Sequence, residues 1–269
     1  MALENIVGNL RDAYKQAQPG TILCVDQLMN ERRSNPDLRN NWFYTADGNV
    51  YTPDGNTLLI TREAANPVLK NIDGAYTQLV QNGNFKVSTA DLQAVRDAPD
   101  TVAVLLRELN LSGDNNEWRY LAIDTKKYDK KLNPEARKLA ERVFGQGTDF
   151  TANMKMLQDA GITETRIYVL NPDYVTENAK GQAIGRASWL SYFNNDSDFN
   201  ASYWNVNSSG RLRGVRREAS VSEPSAPLGA DAQKVIVPTL DQVLACLGED
   251  LAPSVRPAVE GRIRKLYEV

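Results

Sequence analysis

The chain has 269 residues, of which 42% are hydrophobic and 24% are charged, a composition typical of a folded protein of one or two domains. It contains no histidine, which excludes every catalytic pairing of serine or cysteine with histidine and removes the commonest metal ligand. The net charge of −3 and the isoelectric point near 5.3 argue against a large nucleic-acid footprint.

The N-terminal residues 1–16 predict an amphipathic helix, one face of which carries Leu3, Ile6, Val7, Leu10 and Tyr14. They lack the positive region and apolar stretch of a signal peptide, and no apolar run in the sequence approaches the roughly 20 residues that span a bilayer. The two cysteines lie far apart and show no CxxC spacing. We therefore expect no membrane span and, by default, a reducing, cytoplasmic setting.

The rest of the first hundred residues mixes strand and helix patterns. Residues 21–28, TILCVDQL, fit either a strand or a short helix. Residues 42–62, WFYTADGNVYTPDGNTLLITR, predict a β-meander with turns at ADGN and PDGN. A helical pattern runs from Pro67 to Gly83, and a second capped helix is predicted from Ser88 to Ala98.

From Thr101 onwards the order of elements is clearer. Residues 101–109, 118–126 and 165–171 predict strands. Between the second and third of these, Asn133 and Pro134 begin a helix that ends at Gly145, and another helix ends at Gly161. Residues 171–189 are predicted as a connection with one helical turn. No glycine-rich turn joins a strand to a helix, so a nucleotide-binding βαβ fold is not predicted.

Residues 191–209, SYFNNDSDFNASYWNVNSS, have an unusually narrow composition. Fourteen of these nineteen residues are Asn, Ser, Asp or Tyr. Such a mixture suits either an adaptable binding loop or a solvated loop rich in turn formers. Eighteen of the nineteen belong to the set that contains Asn and the residues reached from an AAC or AAT codon by changing its first two bases. This pattern is typical of a gene segment whose codons descend from AAY.

Residues 186–218, RASWLSYFNNDSDFNASYWNVNSSGRLRGVRRE, resemble the variable region of target proteins of diversity-generating retroelements, in particular the archaeal-type group. A weaker resemblance extends upstream to about Trp118. In that family a reverse transcriptase copies a template repeat with errors at adenines, and the copy replaces part of the target gene. The resemblance implies a C-type lectin fold that displays varied residues to bind ligands.

The resemblance also assigns roles to individual residues. The diversified, ligand-binding set is Asn194, Asn195, Asp196, Asp198, Asn200, Ser202, Tyr203, Trp204, Asn205, Asn207, Ser208 and Ser209. Trp204 is the ambiguous member, because its codon TGG does not arise from AAY by the same changes. The constant scaffold is Phe193, Ser197, Phe199, Ala201 and Val206, together with Gly214, which the sequence predicts as a β-bulge in a closing strand.

We therefore predict an α+β, C-type-lectin-like fold with a small mixed or antiparallel sheet, two helices, long loops and additional C-terminal helices. The lectin-like domain is expected to cover residues 1–218, with an N-terminal elaboration, a core at about 101–218 and a variable region at about 186–218. Residues 219–238 predict a linker or wrapping arm, and residues 239–269 predict a helical segment.

The predicted function is non-enzymatic binding of a ligand, which we expect to be a protein, without cofactor or metal. The alternatives are a carboxylate-dependent hydrolase of the glycosidase type and a nucleic-acid-binding domain. The second would use Arg211, Arg213, Arg216 and Arg217, against which the acidic composition argues. Ligand identity and oligomeric state stay open.

The sequence offers two candidate metal sites. Glu117, Asp124 and Lys126 loosely suggest a magnesium-dependent nuclease cluster, although ordinary surface charges explain the same pattern. Asp196 and Asp198 carry oxygen ligands suitable for Ca²⁺. Both positions belong to the diversified set, and changing residues do not maintain a metal site. We therefore predict neither metal.

Overall fold

The computed structural model describes residues 3–18, 21–113, 115–128, 132–191, 193, 197–200 and 210–215. Its strands are β1 (Leu3–Gly8), β2 (Thr21–Ile22), β3 (Phe43–Tyr51), β4 (Thr57–Thr61), β5 (Phe85–Val87), β6 (Val102–Leu105), β7 (Trp118–Asp124), β8 (Glu164–Leu170), β9 (Ala183–Leu190), β10 (Ser197–Asn200) and β11 (Gly210–Val215). Its helices are α1 (Leu10–Ala17), α2 (Val25–Ser34), α3 (Pro67–Lys70), α4 (Ile72–Asn82), α5 (Thr89–Asp97), α6 (Pro134–Phe144), α7 (Thr148–Asp159) and α8 (Pro172–Ala179). Short 3-10 helices cover Pro36–Asn40, Glu63–Ala65 and Leu106–Glu108.

The described strands form one mixed sheet, in the order β1-β11-β3-β9-β10-β8-β7. Off this path, β2 pairs with β11, β4 pairs with β3 and β6, and β5 pairs with β9. β10 runs parallel to β8, and β11 runs parallel to β3. The segment after β9 therefore leaves from one strand that pairs with β3, and the chain returns through β11, another strand that pairs with β3.

Both faces of the central strands are covered by apolar cores. Phe43 and Tyr51 of β3 belong to the larger core, with residues of α2, α6, α7 and α8. Tyr44 and Val50 of the same strand belong to the second core, with residues of α1, α3, α4 and α5. Because neighbouring residues of a strand point to opposite faces, the two cores lie on opposite sides of the sheet, and β3 is buried along its whole length.

The helices predicted in the middle of the chain are confirmed. The Asn133 side chain accepts a hydrogen bond from Ala136 N at 2.8 Å and so begins α6. The apolar residues on the inner face of this helix are buried, namely Ala136, Leu139, Ala140 and Val143. The predicted helix from Pro67 is present as α3 and α4, and it ends at Gly83, which has φ = 70°.

The N-terminal helix prediction is wrong for residues 3–8, which form β1. Ile6 is 5% exposed and its neighbour Val7 is 58% exposed. This alternation belongs to a strand with one covered face. β1 pairs along its length with β11, and a partner that distant in sequence cannot be read from local periodicity. The helix begins only at Leu10, where Asn9 accepts a hydrogen bond from Asp12 N.

The turn predicted at ADGN is also wrong, because these residues lie inside β3. Asp47 is fully buried, and its Oδ2 accepts a hydrogen bond from Val25 N at 2.7 Å at the start of α2. Burial raises the pKa of Asp47, although the nearby Arg142 opposes the shift. Position 48 has no room for a side chain, because an added Cβ would lie 2.4 Å from Asn66 Oδ1. Tertiary packing therefore overrides the local turn signal, whereas the PDGN turn joins β3 to β4 as predicted.

The predicted connection at residues 171–189 contains α8 and most of β9, one of the central strands of the sheet. β9 was missed because it contains Gly185, Arg186 and Ser188, none of which is a typical strand former. Gly185 lies against Phe85 and Val87 of β5, where a Cβ would stand 3.0–3.1 Å from both side chains.

The predicted α+β class with a mixed sheet is confirmed, and the sheet is larger than expected. The first hundred residues contribute β1 to β5 to the same sheet as β8, β9 and β11. The chain divides into two compact units, Met1–Ser220 and Val221–Val269, and the described residues all belong to the first. The finer boundaries at 101, 186, 218 and 238 remain predictions.

Candidate functional site

The candidate site is the segment between β9 and β11, together with the elements that hold it. Among the predicted site residues, the structure describes Phe193, Gly214 and the four residues of β10. The remaining predicted residues lie outside the described part of the chain, namely Asn194, Asn195, Asp196, Ala201, Ser202, Tyr203, Trp204, Asn205, Val206, Asn207, Ser208 and Ser209. The described residues therefore belong mainly to the frame that holds the segment.

The first support of the frame is Arg186 on β9, which is fully buried. Its Nε donates to Asn84 Oδ1 at 2.9 Å, and its Nη2 donates to Glu117 Oε1 at 2.9 Å. The guanidinium also lies 5.2 Å from the centroid of the Trp118 ring. A buried charge is tolerated when it is paired and hydrogen-bonded in this way. Arg186 thus ties β9 to the start of β7.

The second support is Phe193, three residues after β9. Its backbone N donates to Arg39 O at 2.7 Å. The ring lies 5.1 Å from the guanidinium of Arg32 and 6.0 Å from that of Arg39, within the range of cation–π contacts. Burial, with a smaller effect from Arg39, lowers the pKa of Arg32 to about 9. Phe193 is therefore held by α2 and by the 3-10 helix that follows it.

The third support is β10, whose backbone joins the sheet between β9 and β8. Ser197, Asp198 and Phe199 are in register with Thr165, Arg166 and Ile167 of β8. On the other side, Phe199 and Asn200 are in register with Leu190 and Trp189 of β9. Part of the predicted variable segment is therefore itself a sheet strand.

The fourth support is β11, where the chain returns. Arg213 Nη1 donates to Asn5 Oδ1 at 2.8 Å, and Nη2 lies 3.5 Å from Glu31 Oε2. The β-bulge predicted at Gly214 is wrong, because the β1–β11 register continues through Gly214 without a shift. A Cβ at this position would lie 2.7 Å from Thr21 O. The glycine is therefore required by the close approach of β2.

Among solved structures, the chain is similar to a protein of Nanoarchaeota that is described as accommodating massive sequence variation by the C-type lectin fold. The TM-score is 0.54 at 15% sequence identity, and the match covers 80% of this chain and 98% of that chain. This chain has the C-type lectin fold. The fold that the resemblance of residues 186–218 implies is thus confirmed. The sequence matches no protein-family model and no curated protein.

Within this C-type lectin fold, a cluster of aromatic side chains that the sequence analysis did not predict lies next to β10. Trp42 packs edge-on against Tyr44 at 5.1 Å and against Trp189 at 5.9 Å between ring centroids. Trp189 is also the register partner of Asn200. Trp189 was missed because it lies in the unpredicted strand β9, and Arg32 and Arg39 were missed because nothing in their local sequence marks contact with a residue more than 150 positions away.

The competing sites gain no support from the described residues. Glu117 directly precedes β7 and Asp124 ends it, so the rise of a strand separates them by about 23 Å. Glu117 is bound to Arg186, and Asp124 Oδ1 accepts hydrogen bonds from the backbone of Lys126 and Lys127. The described residues contain no group of three or more His, Cys, Asp or Glu that could hold a metal.

The basic patch proposed for nucleic acid is only partly available. The Arg213 side chain is 10% exposed and contacts Asn5 and Glu31, so it cannot also contact phosphates. Arg216 and Arg217 lie outside the described residues. No helix in the part of the chain that the structure describes is long and apolar enough to cross a bilayer.

Proposed function

We propose that this protein binds ligands, without catalysis, through a hypervariable surface on its C-type lectin fold, and that adenine-directed retroelement mutagenesis diversifies this surface. The surface would comprise the twelve predicted variable residues between Asn194 and Ser209. The ligand class we propose is protein, because mixtures of Asn, Ser, Tyr and Trp provide both adaptable hydrogen bonds and large, rigid contact area at small entropic cost.

The register of β10 is the observation that carries this proposal. Ser197 and Phe199, predicted to be constant, lie opposite Thr165, Ile167 and Leu190, all of which are fully buried. The positions predicted to vary show the other pattern. Asp198 and Asn200 lie opposite Arg166 and Trp189, which are only partly buried. Residues directly opposite each other belong to the same face of a sheet, so this register supports the proposed alternation of constant and variable positions.

Such an arrangement separates stability from recognition. Substitutions at surface positions away from special features change stability by only about 0.5 kcal/mol each. Removal of a large apolar side chain from a covered face costs about 3 kcal/mol. Ligand binding is expected to depend on a few aromatic anchors, and Tyr203 and Trp204 are the candidates.

Two variants in β10 test whether the positions that stabilise the fold differ from the positions proposed to bind ligand. Asp198→Ser combined with Asn200→Ser should change the free energy of unfolding by about 1 kcal/mol at most. The matched scaffold variant Phe199→Ser should lower it by about 3 kcal/mol, because it replaces a ring at a covered register position. Urea unfolding of the three proteins measures both values. Equal destabilisation by the two variants would contradict the proposal.

The coding DNA tests the mechanism of diversification. We expect AAC or AAT codons at the variable positions of a nearby near-copy of the segment, beside a reverse-transcriptase gene. Sibling genes should differ at these positions and agree at Phe193 and Phe199. The proposal fails if the neighbourhood holds no such repeat and sibling genes keep the variable positions fixed.

Binding itself can be tested with a library of chains randomised at the twelve variable positions. Selection against one purified test protein should yield binders that differ from the parent only in this set. Returning each selected residue to its original identity should then abolish binding while the melting temperature stays unchanged. If this library yields no binder to the test protein, the segment is not the recognition surface.

A further inference from the structure

Two tyrosine residues, Tyr120 of β7 and Tyr168 of β8, lie side by side on one face of the sheet. They are register partners, and their ring centroids are 5.4 Å apart at an interplanar angle of 48°. Both residues are only partly buried, and neither belongs to one of the two apolar cores of the described residues. Aromatic rings that stabilise a core bury most of their large area there. Core packing therefore does not account for this pair.

Arg166 of β8 joins the two tyrosines. Its guanidinium lies 4.9 Å from the centroid of the Tyr120 ring, within the range of cation–π contacts. Its Nε also donates to Glu164 Oε1 at 3.0 Å. These contacts fix the guanidinium over the ring, and the side chains of Tyr120, Arg166 and Tyr168 together form the tyrosine patch. Because Glu164 balances the charge of Arg166, the patch suits an apolar contact better than an ionic one.

The tyrosine patch lies beside the proposed variable positions of β10. Asp198 is in register with Arg166, and residues in register share a face of the sheet. Tyr168 is two residues beyond Arg166 on the same strand, so it belongs to that face as well. On the other side of β10, Asn200 is in register with Trp189 of β9. Both strands that flank β10 therefore carry aromatic residues that lie outside the predicted variable set.

The residue types of the patch indicate the class of partner. Tyrosine and arginine are enriched at protein–protein interfaces, and with tryptophan they supply most of the binding energy there. A tyrosine ring offers a large contact area with few rotatable bonds, whereas Asn and Ser offer adaptable hydrogen bonds. The patch and the variable segment therefore provide complementary kinds of contact to a protein ligand, one fixed and one adaptable.

We infer that the tyrosine patch is a constant anchor within the recognition surface, and that it contacts an apolar side chain of each protein ligand that the variable residues select. This inference rests on the proposed function and divides recognition between two sets of residues. The patch would supply part of the binding energy in every variant, while the variable residues would choose among ligands. Diversification would then change specificity without having to create the whole binding energy anew.

The test uses the full chain randomised at the twelve variable positions and selected separately against purified lysozyme and purified serum albumin. Tyr120→Ala and Tyr168→Ala are introduced into several binders that differ in their variable residues. Each substitution should weaken binding at least about tenfold in every binder. Tyr120→Phe and Tyr168→Phe keep the ring and should hold the affinity within about threefold of the parent. A Phe variant that loses as much as the Ala variant would overturn the assignment to the ring.

Tyr76→Ala is the matched control. Tyr76 is also partly buried, and its ring centroid lies 4.8 Å from the guanidinium of Arg11, but it belongs to α4 and not to the sheet. This substitution should leave the affinity unchanged, and a loss equal to that at the patch would refute the inference. Nitration of the unsubstituted binders gives a measurement that does not depend on the folding of a variant. Bound lysozyme or albumin should suppress nitration of Tyr120 and Tyr168 but not of Tyr76, and nitration of all three at unchanged rates would refute the inference.

The result is separable from the proposed function. Binders that lose affinity when their variable residues are restored, but keep it in Tyr120→Ala and Tyr168→Ala, would overturn this inference and leave the proposed function intact. A library that yields no binder would contradict both. A second copy of the chain is the competing occupant of the patch. If sedimentation showed that Tyr168→Ala converts a dimer into a monomer, the patch would be an interface between copies and the inference would be wrong.

Discussion

Gly214 offers a sharp test of the frame around the variable segment. An added Cβ would lie 2.7 Å from the carbonyl oxygen of Thr21, 3.5 Å from its carbonyl carbon and 3.6 Å from Ile22 Cα. These are backbone atoms, which cannot rotate away as a side chain can. β11 cannot move in the other direction either, because Gly214 also pairs with Glu4 of β1. Gly214→Ala must therefore separate β2 from β11.

The expected loss follows from these contacts. Overpacking in a fixed environment costs about 1–3 kcal/mol, and each weakened backbone hydrogen bond, such as that from Leu23 N to Arg213 O at 3.0 Å, adds about 0.5–1.5 kcal/mol. We expect Gly214→Ala to lower the free energy of unfolding by about 2–3 kcal/mol. For a chain of this size that corresponds to a melting temperature lower by about 4–12 °C.

Gly74→Ala provides the control, because it is the same substitution with the opposite expected sign. Gly74 lies in α4, and the nearest atom to its added Cβ is the side-chain oxygen of Asn71, at 2.9 Å, which can rotate away. The gain in helix propensity is about 1 kcal/mol. Urea unfolding and calorimetry should rank Gly74→Ala at or above the parent and Gly214→Ala well below it. Equal stability of the two variants would refute the reasoning from backbone approach.

Two further predictions concern polar groups that join elements. Glu135 accepts a hydrogen bond from Leu105 N at 2.8 Å and pairs with Lys138; burial raises its pKa, but these contacts outweigh burial and the folded-state pKa is lowered. The stabilisation by ionised Glu135 is present above the unfolded pKa of about 4.3 and is lost as the pH falls through the folded pKa. Glu135→Gln should therefore reduce the loss of unfolding free energy measured between about pH 5 and pH 3. An unchanged slope would contradict this. The hydroxyl of Tyr51 accepts a hydrogen bond from Leu170 N at 3.1 Å inside the core. Tyr51→Phe removes this acceptor and should lower the free energy of unfolding by about 1–3 kcal/mol. A loss below about 0.5 kcal/mol in urea unfolding would contradict this prediction.

Local sequence signals predicted the helices well, because their causes are local. Asn133 and Pro134 supply the cap and the first turn of α6, and Gly83 supplies the left-handed residue at the end of α4. The strands β7 and β8 were also predicted, since both carry the alternating pattern of a strand with one covered face.

The central strands were harder to predict, because their causes are distant in sequence. β1 pairs with β11, more than 200 residues away, so the helical spacing of its apolar residues was misleading. In β3 the sequence Asp47-Gly48 is typical of a turn. In the fold, however, Asp47 binds the first turn of α2 and Gly48 leaves space for the side chain of Asn66. The contacts that override the local propensity come from elements whose position no local pattern reveals.

The candidate site likewise has one part that the local sequence predicts and another that depends on contacts distant in sequence. The composition and codon pattern of residues 191–209 are the basis for predicting which positions vary, because that pattern lies in the segment itself. The residues that hold the segment show no such pattern in their local sequence. Arg32 and Arg39 contact Phe193 from α2 and the 3-10 helix, and Trp42 contacts Trp189 from the start of β3. Ordinary arginine and tryptophan residues acquire these roles only when the sheet brings the two halves of the chain together.

The end of the frame also accounts for where variation is proposed to begin. Every residue of β9 except Trp189 is buried, and Ser191 is 9% exposed. A change at Leu190 would disturb the larger core. Phe193 is the next described residue, and its backbone is bound to Arg39. The first proposed variable residue, Asn194, follows immediately. We propose that variation begins directly after this held residue, and a gene that diversified Leu190 or Phe193 as freely as Asn194 would be incompatible with this account of the fold.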